Sequence, residues 1–233
     1  MQSKIITCFN QKGGSGKTTT AAQLADTFGR RGYSTTVADI DRQSTASFLW
    51  GTQRARDRVE TFVAPMAHFG EKYLAELSAL SEQSDLVFID CPPVLEDDLC
   101  WQSLVVADLI LIPVPPNMGD VISSIQAGEF AAKAREQNPA LKIAYFVNQF
   151  RRGLFHTKAV ETLRANATEP VLETVITQRA VFAEAQARHC AIQWLDPNAK
   201  TPAATELNAL ADEISKHLGI PKKNGKAKGR AQS

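Results

Sequence analysis

Residues 12–19 read Lys-Gly-Gly-Ser-Gly-Lys-Thr-Thr, between an apolar run over residues 4–10 and a helix-like run over 18–31. A strand, a glycine-rich turn and a helix in that order form the setting of a phosphate-binding loop, and they commit the start of the chain to a β-loop-α unit. Gly13, Gly14 and Gly16 allow the backbone to curl so that successive N–H groups point inward at phosphate oxygens. The helix behind them offers the favourable end of its dipole. Ser15 and Thr19 complete the loop. Lys17 is spaced to reach β/γ-phosphates and the Thr18 hydroxyl to ligate Mg²⁺. Lys12 is a second lysine that a general nucleotide loop does not require.

The rest of the chain repeats the same alternation. Strand-like runs fall at 34–39, 85–90, 108–113 and 142–148, with shorter candidates at 59–63 and 171–176. Several are almost continuously apolar, such as Leu86-Val87-Phe88-Ile89 and Leu109-Ile110-Leu111-Ile112, as expected of strands covered by helices on both faces. Helical patterns fill the gaps at 71–81, 121–137, 157–166, 180–188 and 203–218. The last places Leu207, Leu210, Ala211, Ile214 and Leu218 on one face for core packing. This predicts an α/β fold with a doubly wound, mostly parallel sheet flanked by helices, of the P-loop NTPase type. With 233 residues, 44% of them hydrophobic, the chain suits one such domain over residues 1–220.

From Pro221 onward the composition changes. Lys222, Lys223, Lys226, Lys228 and Arg230 fall within residues 221–233 with no acidic residue among them, which predicts a flexible basic tail. Net charge is only +1, so any attraction for polyanions is local. Cys8, Cys91, Cys100 and Cys190 are scattered without metal-ligand spacing and read as buried thiols of a reducing compartment. The chain opens on a strand instead of a signal peptide, and no run approaches the roughly 18 apolar residues of a membrane span. A cytoplasmic protein is expected.

Three further positions carry chemistry. The run 34–39 ends in Asp39-Ile40-Asp41-Arg42-Gln43. Carboxylates beyond the carboxyl end of a strand can hold a Mg²⁺ shell or orient an attacking water. The strand 86–89 runs into Asp90-Cys91-Pro92-Pro93, and an apolar strand ending in aspartate matches the Walker B pattern that holds Mg²⁺. Asn148 ends another buried strand. Asp85 and Asp108, at strand starts, read as solvated caps, and Trp50 as a core residue.

The two-lysine loop resembles the deviant Walker A motif of the ParA/MinD family of ATPases, and the resemblance runs to about Leu218. It implies ATP and Mg²⁺ as cofactors and an ATP-dependent homodimer. Lys12 crosses to the nucleotide of the partner subunit, as an arginine finger would. Asp39-Ile40-Asp41-Arg42-Gln43 is similar to the family's Asp-x-Asp-Pro-Gln. By that likeness Asp41 positions the hydrolytic water, and Asp39 supports the metal or the loop. Arg42 replaces the family's proline. Asn148 stands where the family contacts adenine. The implied site is therefore Lys12, Lys17 and Asp41 for catalysis, Gly13 to Thr19 with Asn148 for the nucleotide, and Thr18, Asp39 and Asp90 for the metal.

The family further implies a dimer that binds DNA without sequence preference and a ParB-like or other cargo adaptor that stimulates hydrolysis. A plasmid, chromosome region or protein cargo would thereby be positioned on the nucleoid. Arg151, Arg152, Arg164, Arg179, Arg188 and Lys200 are candidates for the DNA surface. The alternative is a MinD-like membrane-associated ATPase. It requires large apolar residues on one face of a C-terminal helix, and the tail offers only Ala227 and Ala231, so no membrane partner is expected. A metal-cluster ATPase of the nitrogenase iron-protein type would need paired cysteines at the dimer face, which Cys91 and Cys100 fit poorly.

Overall fold

The computed structural model describes residues 2–52, 57–93 and 98–223. Among them, seven strands form one sheet in the order β3-β2-β4-β1-β5-β6-β7. They are β1 (Lys4–Cys8), β2 (Thr35–Asp39), β3 (Phe62–Pro65), β4 (Leu86–Asp90), β5 (Leu109–Val114), β6 (Lys142–Phe150) and β7 (Val171–Thr177). Every pairing is parallel, and β1 lies between β4 and β5, with Cys8 level with Asp90 and Leu111.

Alternate strand residues face opposite layers, which is why the strands read as unbroken apolar runs. Ile6, Val37, Leu86, Phe88 and Leu109 pack with α1 (Lys17–Arg30), α2 (Thr45–Trp50), α7 (Ala180–Ala187), α8 (Ile192–Leu195) and α9 (Pro202–Leu218). Val87, Ile89, Ile110, Ile112 and Ile143 pack with α3 (Tyr73–Gln83), α4 (Asp98–Val105), α5 (Met118–Ala132) and α6 (Leu154–Asn166). The doubly wound architecture expected from the sequence is therefore present. Trp50 lies in the first layer, 2% exposed.

Three local departures have physical causes. Helix α2 was not expected. It is a six-residue helix held at one end by Asp39, whose Oδ2 accepts from Ser47 N at 2.7 Å, and at the other by Trp50, whose indole donates to Cys190 O at 3.0 Å. The expected strand at 59–63 begins only at Phe62, because Glu60 N donates to the buried Asp26 carboxylate at 2.7 Å and so belongs to α1 instead of to the ladder. Asp108 and Asp85 are not solvated caps but staples between strand starts. Asp108 takes Lys4 Nζ at 2.6 Å and Ile5 N at 2.8 Å; Asp85 takes Ser34 N at 2.7 Å and Lys223 Nζ at 2.5 Å.

Helix α9 opens on Pro202 under a Thr201 cap and closes on Gly219 in the left-handed region. It buries Leu207, Leu210, Ala211 and Ile214, as its periodicity predicts. Its Glu213 accepts from Glu173 N at 2.8 Å and Thr174 N at 2.7 Å, and its Glu206 from Thr177 N at 3.0 Å, so β7 leans on carboxylates. The first residues after the helix also rest on the domain, where Tyr33 donates to Pro221 O and Lys223 lies over the Tyr33 ring. Lys226, Lys228 and Arg230 of the expected tail lie outside the described residues. Among the described residues no helix is long and apolar enough to cross a membrane. All four cysteines are buried free thiols.

Candidate functional site

The phosphate loop leaves β1 at the carboxyl edge of the sheet, where β1 has β4 on one side and β5 on the other. Its shape is fixed from both flanks. On one, the buried Asn10 amide donates to Pro113 O at 2.9 Å and Ser124 Oγ at 2.8 Å, while its oxygen accepts Lys12 N at 3.0 Å. On the other, Asn148 Nδ2 donates to Ser15 O and Gln149 Nε2 to Gly14 O, both at 2.8 Å. Gly14 and Gly16 adopt φ +76° and +95°, and a Cβ on Gly16 would lie 2.3 Å from Asn148 Nδ2. In the sequence Asn10 is visible only as the residue in place of the first glycine of the loop pattern, and Gln149 only as the neighbour of Asn148; their partners lie more than a hundred residues away.

Inside the loop the charges are buried and incompletely paired. Lys17 is 7% exposed and its Nζ donates to Lys12 O at 3.3 Å. Burial pulls its pKa down, and Asp90 in the first place, then Cys91 and Asp41, push it back up. Asp90 is fully buried, and neither of its carboxylate oxygens has a hydrogen-bonding partner. Burial pushes its pKa up to about 8. The nearby Thr18 hydroxyl, which falls short of a formal hydrogen bond, and the Lys17 charge oppose that rise, while Asp39 and Asp41 add to it. The Ser15 hydroxyl is likewise buried without a partner. An unpaired buried carboxylate beside a buried lysine is costly on its own, and it suits a hard cation that arrives with oxygen ligands of its own.

The other expected residues divide by what they touch. Asp39 spends both oxygens on backbone, Oδ1 on Asp41 N at 3.2 Å and Oδ2 on Ser47 N, which sets the Asp41 loop and α2. Asp41 caps Gln43 N at 2.9 Å and stays partly exposed. With Arg42 it lines a cleft shared with Pro92, Pro93 and Asp98. Thr19 turns its hydroxyl to Gln186 of α7, at 2.8 Å. Lys12 sits at the rim, about half exposed, with its ammonium 3.6 Å from Asp120. Gly13 is open, with nothing within 4 Å of where a Cβ would stand. Among the described residues, no group of three or more His, Cys, Asp or Glu is placed to hold a metal unaided.

The arginines proposed for a DNA surface are mostly engaged: Arg164 with Glu173 at 3.0 Å, Arg179 with Glu206 at 2.6 Å, Arg188 with Glu184 at 2.9 Å and Arg151 with Gln178. Arg152 and Lys200 are exposed.

Residues 6–192 match the CobQ/CobB/MinD/ParA nucleotide binding domain. The chain belongs to that family. Within it, the chain is similar to maintenance of carboxysome distribution protein A of Halothiobacillus neapolitanus, with 30% identity covering 88% of this chain and 93% of the relative. It is also similar to the chromosome-partitioning ATPase Soj of Thermus thermophilus, with 28% identity covering 90% and 94%. The fold is that of the septum site-determining protein MinD of Pyrococcus horikoshii, solved with Mg-ADP, at a TM-score of 0.76 and 21% identity over 95% of this chain and 99% of that one. The phosphate loop thus lies in the nucleotide-binding domain of a MinD/ParA-type protein.

Proposed function

We propose that this MinD/ParA-type protein is a Mg²⁺-dependent ATPase that positions a cargo. The observation that carries the reading is Asp90, whose two bare carboxylate oxygens are buried beside Lys17 and Thr18 at the foot of the phosphate loop. Mg²⁺, when bound, would supply charge neutralisation for the phosphates. Thr18 and Asp90 hold it. The loop amides and Lys17 hold the phosphates. Asp39 acts through the Asp41 loop that it braces. Asp41 orients the attacking water, and Lys12 reaches the nucleotide of a second copy. The Asn148 and Gln149 amides donate to the loop and keep their carbonyl oxygens for a base amino group, which favours adenine.

The names of the relatives extend the reading. One maintains carboxysome distribution and another partitions chromosomes. By that likeness the ATP-bound dimer binds nonspecific DNA, and a cargo-bound ParB-like or other adaptor stimulates hydrolysis and releases it. The protein then works in the cytoplasm, on the nucleoid. Equilibrium binding of ATP with and without Mg²⁺ tests the core of this. Wild type binds more tightly with the metal, and Asp90→Asn loses that increment. Metal-independent binding in wild type would remove the basis for the proposal.

A further inference from the structure

The two halves of the proposed chemistry stand on different elements. Thr18 and Thr19 begin α1, and Asp41 lies on the loop that joins β2 to α2. Helix α2 has six residues, short of the dozen or so that a helix needs to stand alone. Ser44, just before it, adopts φ +51°, and its N–H donates to Asp41 O at 2.7 Å, so the Asp41 turn and the start of α2 form one piece. The far end of that piece is clamped. Trp50 is buried and donates its indole N–H to Cys190 O at 3.0 Å, and His189 Nδ1 donates to Leu49 O at 2.9 Å. His189 itself is held at φ +51°, a conformation that a residue other than glycine adopts at a cost.

The segment that supplies both clamps is bound in turn to α1. Gln186 Nε2 donates to Thr19 Oγ1 at 2.8 Å, Ile192 N donates to Gln23 Oε1 at 2.9 Å, and Gln193 Nε2 donates to Thr27 Oγ1 at 2.9 Å. Residues 186–193 therefore act as a strut. Its foot rests on the helix that carries the phosphate loop, and its head grips α2 at Leu49 and Trp50. Such a strut matters for hydrolysis, because a misplacement of about 1 Å at a reacting group can cost about a hundredfold in rate.

We propose that Trp50 is a positioning residue for hydrolysis. Clamped to Cys190 O, it fixes α2 against α1 and so sets Asp41 relative to the phosphates held by the loop. His189 assists through Leu49 O. The proposal rests on the ATPase reading above and adds to it the support on which the water-orienting carboxylate depends.

Single-turnover ATP hydrolysis and equilibrium binding of a nonhydrolysable ATP analogue, both on the full chain with Mg²⁺, test it. Trp50→Phe keeps a ring in the core and loses the N–H. Its hydrolytic rate should fall about fivefold, as for one lost hydrogen bond, while analogue affinity stays within about twofold. Among the described residues Trp50 donates to Cys190 and to no group of the phosphate loop, which is why binding is spared. His189→Ala should lower the rate about threefold with binding again spared, and it decides the matter if Trp50→Phe does not fold. Ile143→Val trims the opposite layer of the core and is the control: it should lower the melting temperature and leave the rate unchanged. A Trp50→Phe rate equal to wild type, equal losses of rate and affinity, or a rate loss no larger than that of Ile143→Val would overturn the proposal. A wild type that hydrolyses no ATP, or an Asp41→Ala protein at the wild-type rate, would overturn the reading beneath it as well. Turnover that needs Asp41 but ignores both Trp50 and His189 refutes this inference alone.

Discussion

The Lys12 ammonium lies 3.6 Å from Asp120 in the first turn of α5, an ion pair within one subunit. A lysine destined for a partner's nucleotide must leave that carboxylate first. Lys12 is about half exposed and Asp120 largely shielded, and so long a contact at the rim is worth under about 1 kcal/mol. Asp120→Asn should therefore strengthen dimerisation with a nonhydrolysable ATP analogue by no more than about fivefold. Lys12→Ala should abolish the dimer while keeping much of the nucleotide affinity, and Lys17→Ala should lose the nucleotide itself. Light scattering after size exclusion measures all three. A wild type that stays monomeric at high concentration with analogue and Mg²⁺ removes the sandwich-dimer idea.

Asp41→Ala should separate binding from turnover. Among the described residues its carboxylate accepts a hydrogen bond from Gln43 N and from no group of the phosphate loop, so its loss leaves that loop intact. ATP should be retained and a stable dimer should accumulate, with hydrolysis down at least about a hundredfold, as for a lost catalytic base. Turnover at the wild-type rate, with and without an adaptor, would show that Asp41 does not orient the water.

Asp90 gives the nucleotide-free protein a pH signature. Its folded pKa, about 8, lies above the ordinary carboxylate value. The folded state therefore holds the proton more tightly, and the associated stability is fully present below about pH 4 and lost as pH rises through 8. Asp90→Asn should remove this decline. At pH 8 the substituted protein should gain at least about 1 kcal/mol relative to its own offset at pH 4, or roughly 2–4 °C in Tm. Mg·ADP should stabilise wild type more than metal-free ADP does, whereas the variant should gain the same from either. Parallel melting curves across that pH range would fail to support the assignment.

Removing residues 222–233 should weaken DNA binding by the ATP-bound dimer and flatten its salt dependence by about 0.9 in log–log slope for each phosphate that is no longer neutralised. ATP affinity should not change. Filter binding across a salt series with ATP, ADP and no nucleotide reads both effects. Equal binding in all three states would exclude a nucleotide switch, and an unaffected truncation would confine the DNA surface to the folded domain.

The architecture was legible because burial of both sheet faces writes itself into the strands: Leu86–Asp90 and Leu109–Val114 could hardly be anything else. The phosphate loop was legible because its residues are consecutive. What stayed hidden depends on partners distant in sequence. Asp26 pulling Glu60 out of the β3 ladder, Asn10 tying the loop to Pro113, and Glu206 pairing with Arg179 are each a meeting of residues at least 27 apart. Asp39 and Asp90 looked alike as aspartates ending strands. Only the surroundings separate them, because one has both oxygens filled by backbone amides and the other has none.

The carboxylates that α9 lends to β7 have a consequence beyond local geometry. β7 is the last strand of the sheet, and a bare strand of that kind invites another chain to pair with it. Glu206 and Glu213 occupy the amides of Glu173, Thr174 and Thr177, so a stray strand finds its donors already taken. On the dimer reading proposed above, copies that meet repeatedly are thereby kept from adhering along this border, and association is left to surfaces that can let go.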